Sequence, residues 1–389
     1  MGQDGKKTSY TPVLGLMGDA ALTSAPVQQA ERPREPLLPV EATLELTVII
    51  PARNEEASIG ACLDSLVSQS ESFFQLGKNW EILVVDDASN DKTKELAESK
   101  SGVTVLKTEP LASGWTGKNH AIWTAVKAAR GRWLLFTDAD TLHQPGNLRR
   151  AIHEATKYKA GLLSYSPRQL ITGLAQTTVM PLIFCELALS YPPAKVSDPA
   201  NKLAAANGQF MLFTREAYDR IGGHAAVARE ILEDVALARL VKKRGLGLRF
   251  RYAPDALSTR MYRTNDQMVE GWCKNLNLLF ANCRTLACVR MLDFLLLFCL
   301  PVLSWIYWRM PIAPLVNVPL LTAGVLVGLL WVRTIVRFYA RVRKSNFPWG
   351  NCLLTPLGLP LFVYLLVRSW WLHHVKKQVA WKGRAYSGD

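Results

Sequence analysis

Asp138-Ala139-Asp140 places two carboxylates at i and i+2 immediately after the apolar run Trp133–Phe136. Carboxylates so spaced beyond a strand end can converge on one hard cation or on one sugar-phosphate. Mg²⁺ and Mn²⁺ suit such a site, because they take one or two carboxylates and fill the other positions with phosphate oxygens and water. Asp86-Asp87 follows a second run, Glu81–Val85, and Asn54-Glu55 lies just beyond a third, Leu46–Ile50. Glu233-Asp234 forms a further acidic pair within EILEDVALA (230–238). Each has a plainer explanation. A D-x-D tripeptide also marks a solvated turn, Asp86-Asp87 can cap the helix after it, and acids favour a helix's first turn. Three polar strand ends in one sheet nevertheless point to a shared site.

The frame that would position these residues is legible from periodicity. Leu46–Ile50, Glu81–Val85, Gly102–Lys107 and Trp133–Phe136 read as strands, with another beginning at Gly161. Ile59, Cys62, Leu63, Leu66 and Val67 recur at helical spacing, and further helices are expected over Asp91–Lys100, Lys118–Ala129 and after Gly146. This alternation implies an α/β fold with a mostly parallel sheet and helices on both faces. In such sheets ligands bind beyond the carboxyl ends of the strands. The acidic pairs fall at those ends.

TVIIPARNEE (47–56), EILVVDDASND (81–91), SGWTGKNHA (113–121) and LLFTDADT (134–141) together resemble the inverting family 2 glycosyltransferases of GT-A fold, over roughly residues 45–280. The resemblance implies the nucleotide-diphospho-sugar transferase architecture. It also implies that Pro51, Arg53 and Glu55 line the nucleotide pocket, and that Asp86 faces the base, uridine being the expected one. By the same likeness Lys118 faces donor phosphate, Asp138 binds the donor and Asp140 is the direct metal ligand. Asp234 matches the catalytic base of the family's E-D pair, with Glu233 beside it as an acceptor- or phosphate-facing candidate. An inverting transfer needs one carboxylate to take the acceptor's proton, and an adjacent carboxylate raises its pKa. NGQFMLFTREAYDRIGGH (207–224) resembles the lining of the sugar and acceptor pocket. Gly208 and Gly222-Gly223 there would allow close backbone approach or form ordinary turns.

One departure matters. Processive polysaccharide synthases and ceramide glucosyltransferases carry Q-x-x-R-W after the E-D pair, whereas this chain reads YRTNDQMVEGWCKN (262–275). Gln267 and Trp272 remain, without an Arg before the Trp, so Arg260, Arg263 or Lys274 is left to supply the phosphate-facing cation. Trp272 is a candidate acceptor platform or a membrane-proximal anchor. The segment RMYR followed by EGW-KN is closer to bacterial membrane glycosyltransferases acting on isoprenoid lipids, such as the carotenoid-acid and hopanoid-associated enzymes. His120 and His143 lack a partner His at ligand spacing and read as structural or donor-proximal.

The last hundred residues change character. Met291–Trp308, Pro314–Val332 and Cys352–Leu372 are almost wholly apolar, and about 18–21 helical residues reach roughly 27–31 Å, a bilayer core. Eight of the 12 Trp lie beyond residue 270, several at segment ends. The expected division is a disordered tail (1–42), a GT-A domain (43–285) and a membrane region (286–389). That region holds two to three transmembrane helices at about 291–308, 314–332 and 352–372. Arg333, Arg337, Arg341, Arg343 and Lys344 are expected in a cytoplasmic loop between the second and third segments, with the catalytic domain on the same side. A full crossing by the third segment is expected, although it sends Lys376, Lys377, Lys382 and Arg384 outside; Pro356, Gly358 and Pro360 offer a re-entrant hairpin instead. Leu170–Leu189 reads as a helix on the membrane surface or as a buried one. No apolar run follows Lys6-Lys7, so no secretory leader is expected.

Composition narrows the classes. The 389 residues carry 46 Lys+Arg against 32 Asp+Glu, a net charge of +14, and are 49% hydrophobic. This excludes a wholly disordered chain, a collagen and a small disulfide scaffold. Seven Cys without a C-x-x-C pair indicate free thiols in a reducing compartment. Nucleic-acid binding lacks an interleaved aromatic and basic module. The expected function is inverting, Mg²⁺- or Mn²⁺-dependent transfer of a sugar from a nucleotide donor, UDP-linked, to a lipid hydroxyl or carboxyl. It would take place at the cytoplasmic face of the inner membrane, in a multi-pass protein. The alternatives are a polyprenyl-phosphate glycosyltransferase, a polysaccharide synthase, or a membrane-tethered anionic-lipid-binding protein, which leaves the acidic strand ends unexplained.

Overall fold

The computed structural model describes residues 43–309, 320–381 and 384–387. The tail expected over 1–42 and the start of the segment expected at 314 lie outside them. β1 (Leu44–Ala52), α1 (Ile59–Val67), β2 (Trp80–Asp86), α2 (Thr93–Glu98), β3 (Val103–Lys107), α3 (Gly117–Ala128) and β4 (Gly131–Phe136) alternate as the periodicity predicts. β5 (Thr141–His143), α4 (Asn147–Lys157), β6 (Leu162–Ser166), β7 (Arg168–Gln169), α5 (Gly173–Ser190) and α6 (Pro193–Ser197) follow. β8 (Met211–Thr214), α7 (Arg215–Ile221), α8 (Glu233–Lys243), β9 (Leu248–Tyr252) and β10 (Leu257–Thr259) complete the α/β domain.

Seven strands form one sheet in the order β3-β2-β1-β4-β8-β6-β9. Every neighbouring pair is parallel except those made by β8, which runs antiparallel to β4 and β6. Successive side chains of a strand point to opposite faces. Val48 and Ile50 accordingly pack with Leu63 and Trp80 on one side, and Ile49 packs with Ala121 and Phe213 on the other. α1 buries Ile59, Cys62, Leu63 and Leu66, the i, i+3, i+4, i+7 stripe of an amphipathic helix. Register then sets the site. Ala52 pairs with Asp86 and Ile49 with Phe136, so the loops after β1, β2 and β4 emerge at one edge.

The chain continues through α9 (Asn265–Leu279), α10 (Cys283–Phe294), α11 (Leu300–Arg309), α12 (Leu320–Val342), α13 (Trp349–Cys352) and α14 (Leu359–Trp371). A short hairpin, β11 (Gln378–Trp381) with β12 (Arg384–Ser387), follows. A π turn at Leu295–Cys299 joins α10 to α11, and Cys283–Ile306 is one apolar helix of 24 residues. It therefore begins eight residues before the expected 291. Among the described residues two helices are long and apolar enough to cross a membrane, Gly173–Ser190 and Cys283–Ile306. Their surroundings differ. The first is 56% buried inside the protein and the second 17%, leaving Leu292, Leu295, Val302, Leu303 and Trp305 exposed.

Two expectations are corrected here. Arg333, Arg337 and Arg341 lie on α12 rather than in a loop, because no helix breaker intervenes before the left-handed Asn346 (φ 62°). Cys352–Leu372 is not a single spanning helix: a 3₁₀ turn at Thr355–Gly358 separates α13 from α14. α14 is continued by a π turn, Leu372–Lys376, and reaches about 27 Å, but with Arg368, His373, His374 and Lys376 it is not among the described helices apolar enough to cross a membrane. Gly358 sits so close to α5 that a Cβ would come within 2.3 Å of the Thr178 carbonyl oxygen. Val179 and Ile183 of α5, Trp272 and Leu276 of α9, Phe338 of α12, and Phe362 and Leu366 of α14 form one apolar cluster. The expected boundary at 285 therefore does not separate two cores. The segment 170–189 is half core helix for the same reason.

Candidate active site

The loops after β1 and β2 are stitched into one surface. Arg53 Nη1 donates to the Asp87 carbonyl at 2.7 Å, the Asn54 N–H to Ser89 Oγ at 3.0 Å, and the Glu55 N–H to Thr93 Oγ1 at 2.7 Å. Ser58 Oγ donates to Glu55 Oε2 at 2.8 Å. Asn54 and Ala88 take positive φ (53° and 52°) to make these turns, a region that non-glycine residues enter at a cost. Asp86 is buried and accepts from the Ser89 N–H at 3.3 Å. Pro51, half-buried, lies in register with Val85. From the loop after β10, the Arg263 guanidinium donates to the Ala57 carbonyl. All the residues expected around the nucleotide thus share this part of the rim.

Lys118 is the centre of the other half. Thr116 caps α3 and so sets Lys118 in its first turn, with Nζ 2.9 Å from Asp138 Oδ1 and 2.8 Å from Glu233 Oε1. The D-x-D motif and the E-D pair, 95 residues apart, are joined by one ammonium group. Asp234 Oδ2 accepts from the Gly208 N–H at 2.9 Å and Oδ1 from the Val235 N–H at 2.7 Å. A Cβ on Gly208 would lie 3.0 Å from Lys118 Nζ and 3.6 Å from Asp234 Oδ2, so glycine is what lets this backbone approach the cluster.

Charge follows from this geometry. Burial, reinforced by the Glu233 carboxylate, pushes the Asp234 carboxyl up to about 6, against the pull of Lys118 and the two N–H donors. Burial works against the Lys118 ammonium, but Asp138 and Glu233 outweigh it and hold the group charged, well above lysine's ordinary value. Lys274 of α9 also reaches this field. Burial outweighs the attraction of Glu233, Lys118 adds repulsion, and the Lys274 ammonium falls to about 8.

The strand end carrying Asp138 and Asp140 is fixed by Thr137, whose Oγ1 donates to the Gln209 carbonyl at 2.8 Å and lies 3.2 Å from His143 Nε2. Burial drives the His143 imidazole down to about 3, so it stays neutral and structural. His120 is buried against Trp115. After burial, the charge of Asp140 raises both the Cys62 thiol and the Tyr262 phenol, which sets Asp140 between α1 and the chain after β10. Among the described residues no three His, Cys, Asp or Glu side chains converge as a metal cage. Asp138 and Asp140 offer hard oxygens only, a two-carboxylate half-site. That fits Mg²⁺ or Mn²⁺ whose remaining ligands come from a diphosphate and water.

Three acceptor-side expectations change. Trp272 is 3% exposed, donates from Nε1 to Met180 Sδ at 3.2 Å and packs between Phe184 and Tyr262. It is core, with no face for an acceptor. Gln267 is a cap: its N–H donates to Thr264 Oγ1 at 3.2 Å, and its Oε1 accepts from the Arg263 N–H at 2.9 Å. Arg260 donates to Thr172 Oγ1 at 3.2 Å, tying this segment to the start of α5. Gly222 (φ 83°) ends α7 in a turn, whereas Gly223 allows close approach, since a Cβ there would come within 2.4 Å of the Tyr218 ring. The sequence reading missed Asn119, whose Nδ2 donates to the carbonyls of Val227, Ala228 and Glu230 at 2.8–3.2 Å. It clamps the segment leading to Glu233, and its position next to Lys118 was the available signal.

Residues 47–235 match the family model described as Glycosyl transferase family 2. The 4,4'-diaponeurosporenoate glycosyltransferase of Staphylococcus aureus (strain USA300) is 26% identical over 353 residues, 88% of each chain. The protein of the same name from strain MRSA252 is 27% identical over 354 residues, again 88% of each chain. Among solved structures, mannosyltransferase PcManGT from Pyrobaculum calidifontis, in complex with GDP-Man and Mn²⁺, gives a TM-score of 0.47 at 20% identity. That match covers 87% of this chain and 89% of the other.

Proposed function

The chain carries a family 2 glycosyltransferase domain over residues 47–235 and is a glycosyltransferase, and from that premise we propose inverting transfer of a sugar from a nucleotide donor, UDP-linked, to an isoprenoid lipid at the cytoplasmic membrane face. The observation that carries this reading is the Lys118 bridge, 2.9 Å to Asp138 and 2.8 Å to Glu233. It brings a donor-side carboxylate and an acceptor-side carboxylate into one cluster. Pro51, Arg53, Glu55 and Asp86 hold the nucleoside. Asp138 and Asp140 hold Mg²⁺ or Mn²⁺, which when bound supplies neutralising charge to the leaving diphosphate. Lys118 and Lys274 add positive charge on the same side.

Asp234 takes the proton of an acceptor hydroxyl while that oxygen bonds to the anomeric carbon and the bond from that carbon to the diphosphate oxygen breaks. Its raised pKa suits this work, since a base near operating pH is both ionised and basic. The Gly208 and Val235 N–H groups hold the carboxylate's orientation. A carboxylic acid acceptor, as the name of the S. aureus relative specifies, would arrive ionised and need no base. The isoprenoid class rests on that relative together with the apolar helix Cys283–Ile306.

The test is to incubate detergent-solubilised protein and a bacterial lipid extract with UDP- and GDP-sugars, and to identify the labelled lipid by mass spectrometry. Nucleoside diphosphate release with one glycosylated lipid is expected; no release with any donor overturns the proposal. Asp234→Asn should lower the rate by about 100-fold or more with a hydroxyl acceptor. Full retention of rate identifies an acceptor that is already ionised.

A further inference from the structure

α14 has two apolar faces, of which the described residues cover only one. Leu359, Phe362, Leu365 and Leu366 are fully buried, and Ser369 Oγ accepts from the Asn277 N–H of α9 at 2.9 Å. On the opposite side Tyr364, Val367, Trp371 and Val375 form a stripe at spacings of three and four, each 40–57% exposed. The connection before it continues the surface with Trp349, Leu353, Leu354 and Leu357, all exposed. The stripe is edged by cations: the Arg368 guanidinium lies over the Tyr364 ring and Lys376 Nζ lies 5.0 Å over Trp371. Lys377 is exposed beside them. After Asp293 the chain has 11 Lys and Arg but one acid, Asp389.

We infer that α14 lies in the plane of an anionic leaflet, its outer stripe in the acyl boundary and Arg368, Lys376 and Lys377 among acidic headgroups, without crossing. Three observations carry this. With the π turn Leu372–Lys376 that continues it, α14 is long enough but too polar to span: Arg368, His373, His374 and Lys376 fall in its last three turns, and among the described residues only Gly173–Ser190 and Cys283–Ile306 are long and apolar enough to cross. Its inner face is already filled by α10, α9 and α5, so among the described residues only one side is left for lipid. Its rim is wholly basic, which complements acidic lipid rather than a neutral surface or a second copy of so basic a chain. The function of the placement follows from α9, which α14 packs against: α9 also carries Lys274, within the field of Glu233, Asp138 and Asp234. Seating α14 on the leaflet holds the mouth of the transferase cluster against the surface where a lipid acceptor resides. The inference takes from the proposed function only the bilayer as partner, and its test reads no turnover.

In full-length protein with Cys288 and Cys299 replaced by Ser, Lys344→Cys and Gln378→Cys bracket the element. An impermeant maleimide applied to inside-out vesicles from the expressing bacterium should label both equally before permeabilisation. Labelling of one only after permeabilisation shows a crossing and overturns the inference. In nanodiscs, the quenching lost on Trp371→Phe reports that side chain alone. It should be about twofold stronger when bromine is on phosphatidylglycerol than on phosphatidylcholine, and R368Q/K376Q/K377Q should erase the difference. Identical quenching of wild type and Trp371→Phe, as a face covered by a second copy would give, overturns it. Equal quenching by both lipids overturns the anionic preference.

Discussion

Lys118, Glu233 and Asp234 form a group in which each charge sets the state of the next. Among the described residues Asp234 is held by backbone N–H donors and faces a neighbouring acid, with Lys118 acting on it only through its charge. The sign of the pH dependence follows. In its proposed role as base it works ionised, so kcat/KM with a hydroxyl acceptor should fall below about pH 6 as the carboxyl takes up a proton. In the proposed phosphate-facing role Lys274 assists only while protonated, so a second decline is expected above about pH 8 as the ammonium is lost. Initial rates across that range give the profile. Lys274→Gln should remove the alkaline limb and leave the acid one; an unchanged alkaline limb would detach Lys274 from the donor phosphates. The role of Lys118 was suggested by its motif, but its double pairing was not, because Asp138 and Glu233 are remote from it and from each other in the chain.

Among the helices, α5, α10 and α12 meet through charge as well as apolar packing. Arg290 Nη1 lies 2.7 Å from Asp293 Oδ2 and 3.4 Å from Glu186 Oε1, and Arg341 Nη2 lies 2.7 Å from Glu186 Oε1. Arg290 and Glu186 are buried, and the four charges balance. Removing Glu186 leaves Arg341 without its partner, while Arg290 keeps Asp293; because Arg341 is partly exposed, the cost falls below the roughly 3–5 kcal/mol of breaking a fully buried pair. Glu186→Gln should therefore lower the unfolding midpoint in detergent clearly, measured by intrinsic fluorescence on heating. An unchanged midpoint would show that the network contributes nothing. In the sequence Asp293 interrupts the apolar run Met291–Trp308 and Glu186 the run Leu170–Leu189. Their common partner, Arg290, becomes visible only when α5 and α10 are brought side by side.

At the scale of the molecule, the catalytic sheet and the last hundred residues share structure. The apolar cluster containing Val179, Trp272 and Phe362 crosses position 285. Ending the chain at residue 285 removes α14 and strips the cover from α5 and α9. Such a truncation should aggregate on size-exclusion chromatography even though the sheet and the acidic rim are intact. A soluble, monodisperse truncation would show that the two parts are separable after all. Breaks in hydropathy located the apolar segments but not the boundary, because a helix packed against the domain, Gly173–Ser190, and one facing outward, Cys283–Ile306, are both long and apolar.

Local rules were enough for the α/β fold, the strand ends and the acidic pairs. Strand and helix periodicities are written within ten or so residues, and a parallel sheet gathers its carboxyl ends on one edge wherever crossovers are helical. Tertiary structure decided what depends on partners distant in sequence. It turned Trp272 and Gln267 from ligand candidates into core and cap, drew Lys118 between Asp138 and Glu233, and broke the last apolar segment into short helices with one covered face. A side chain's chemistry is fixed by its type, but whether it meets water, lipid or another charge is fixed only by what the rest of the chain brings against it.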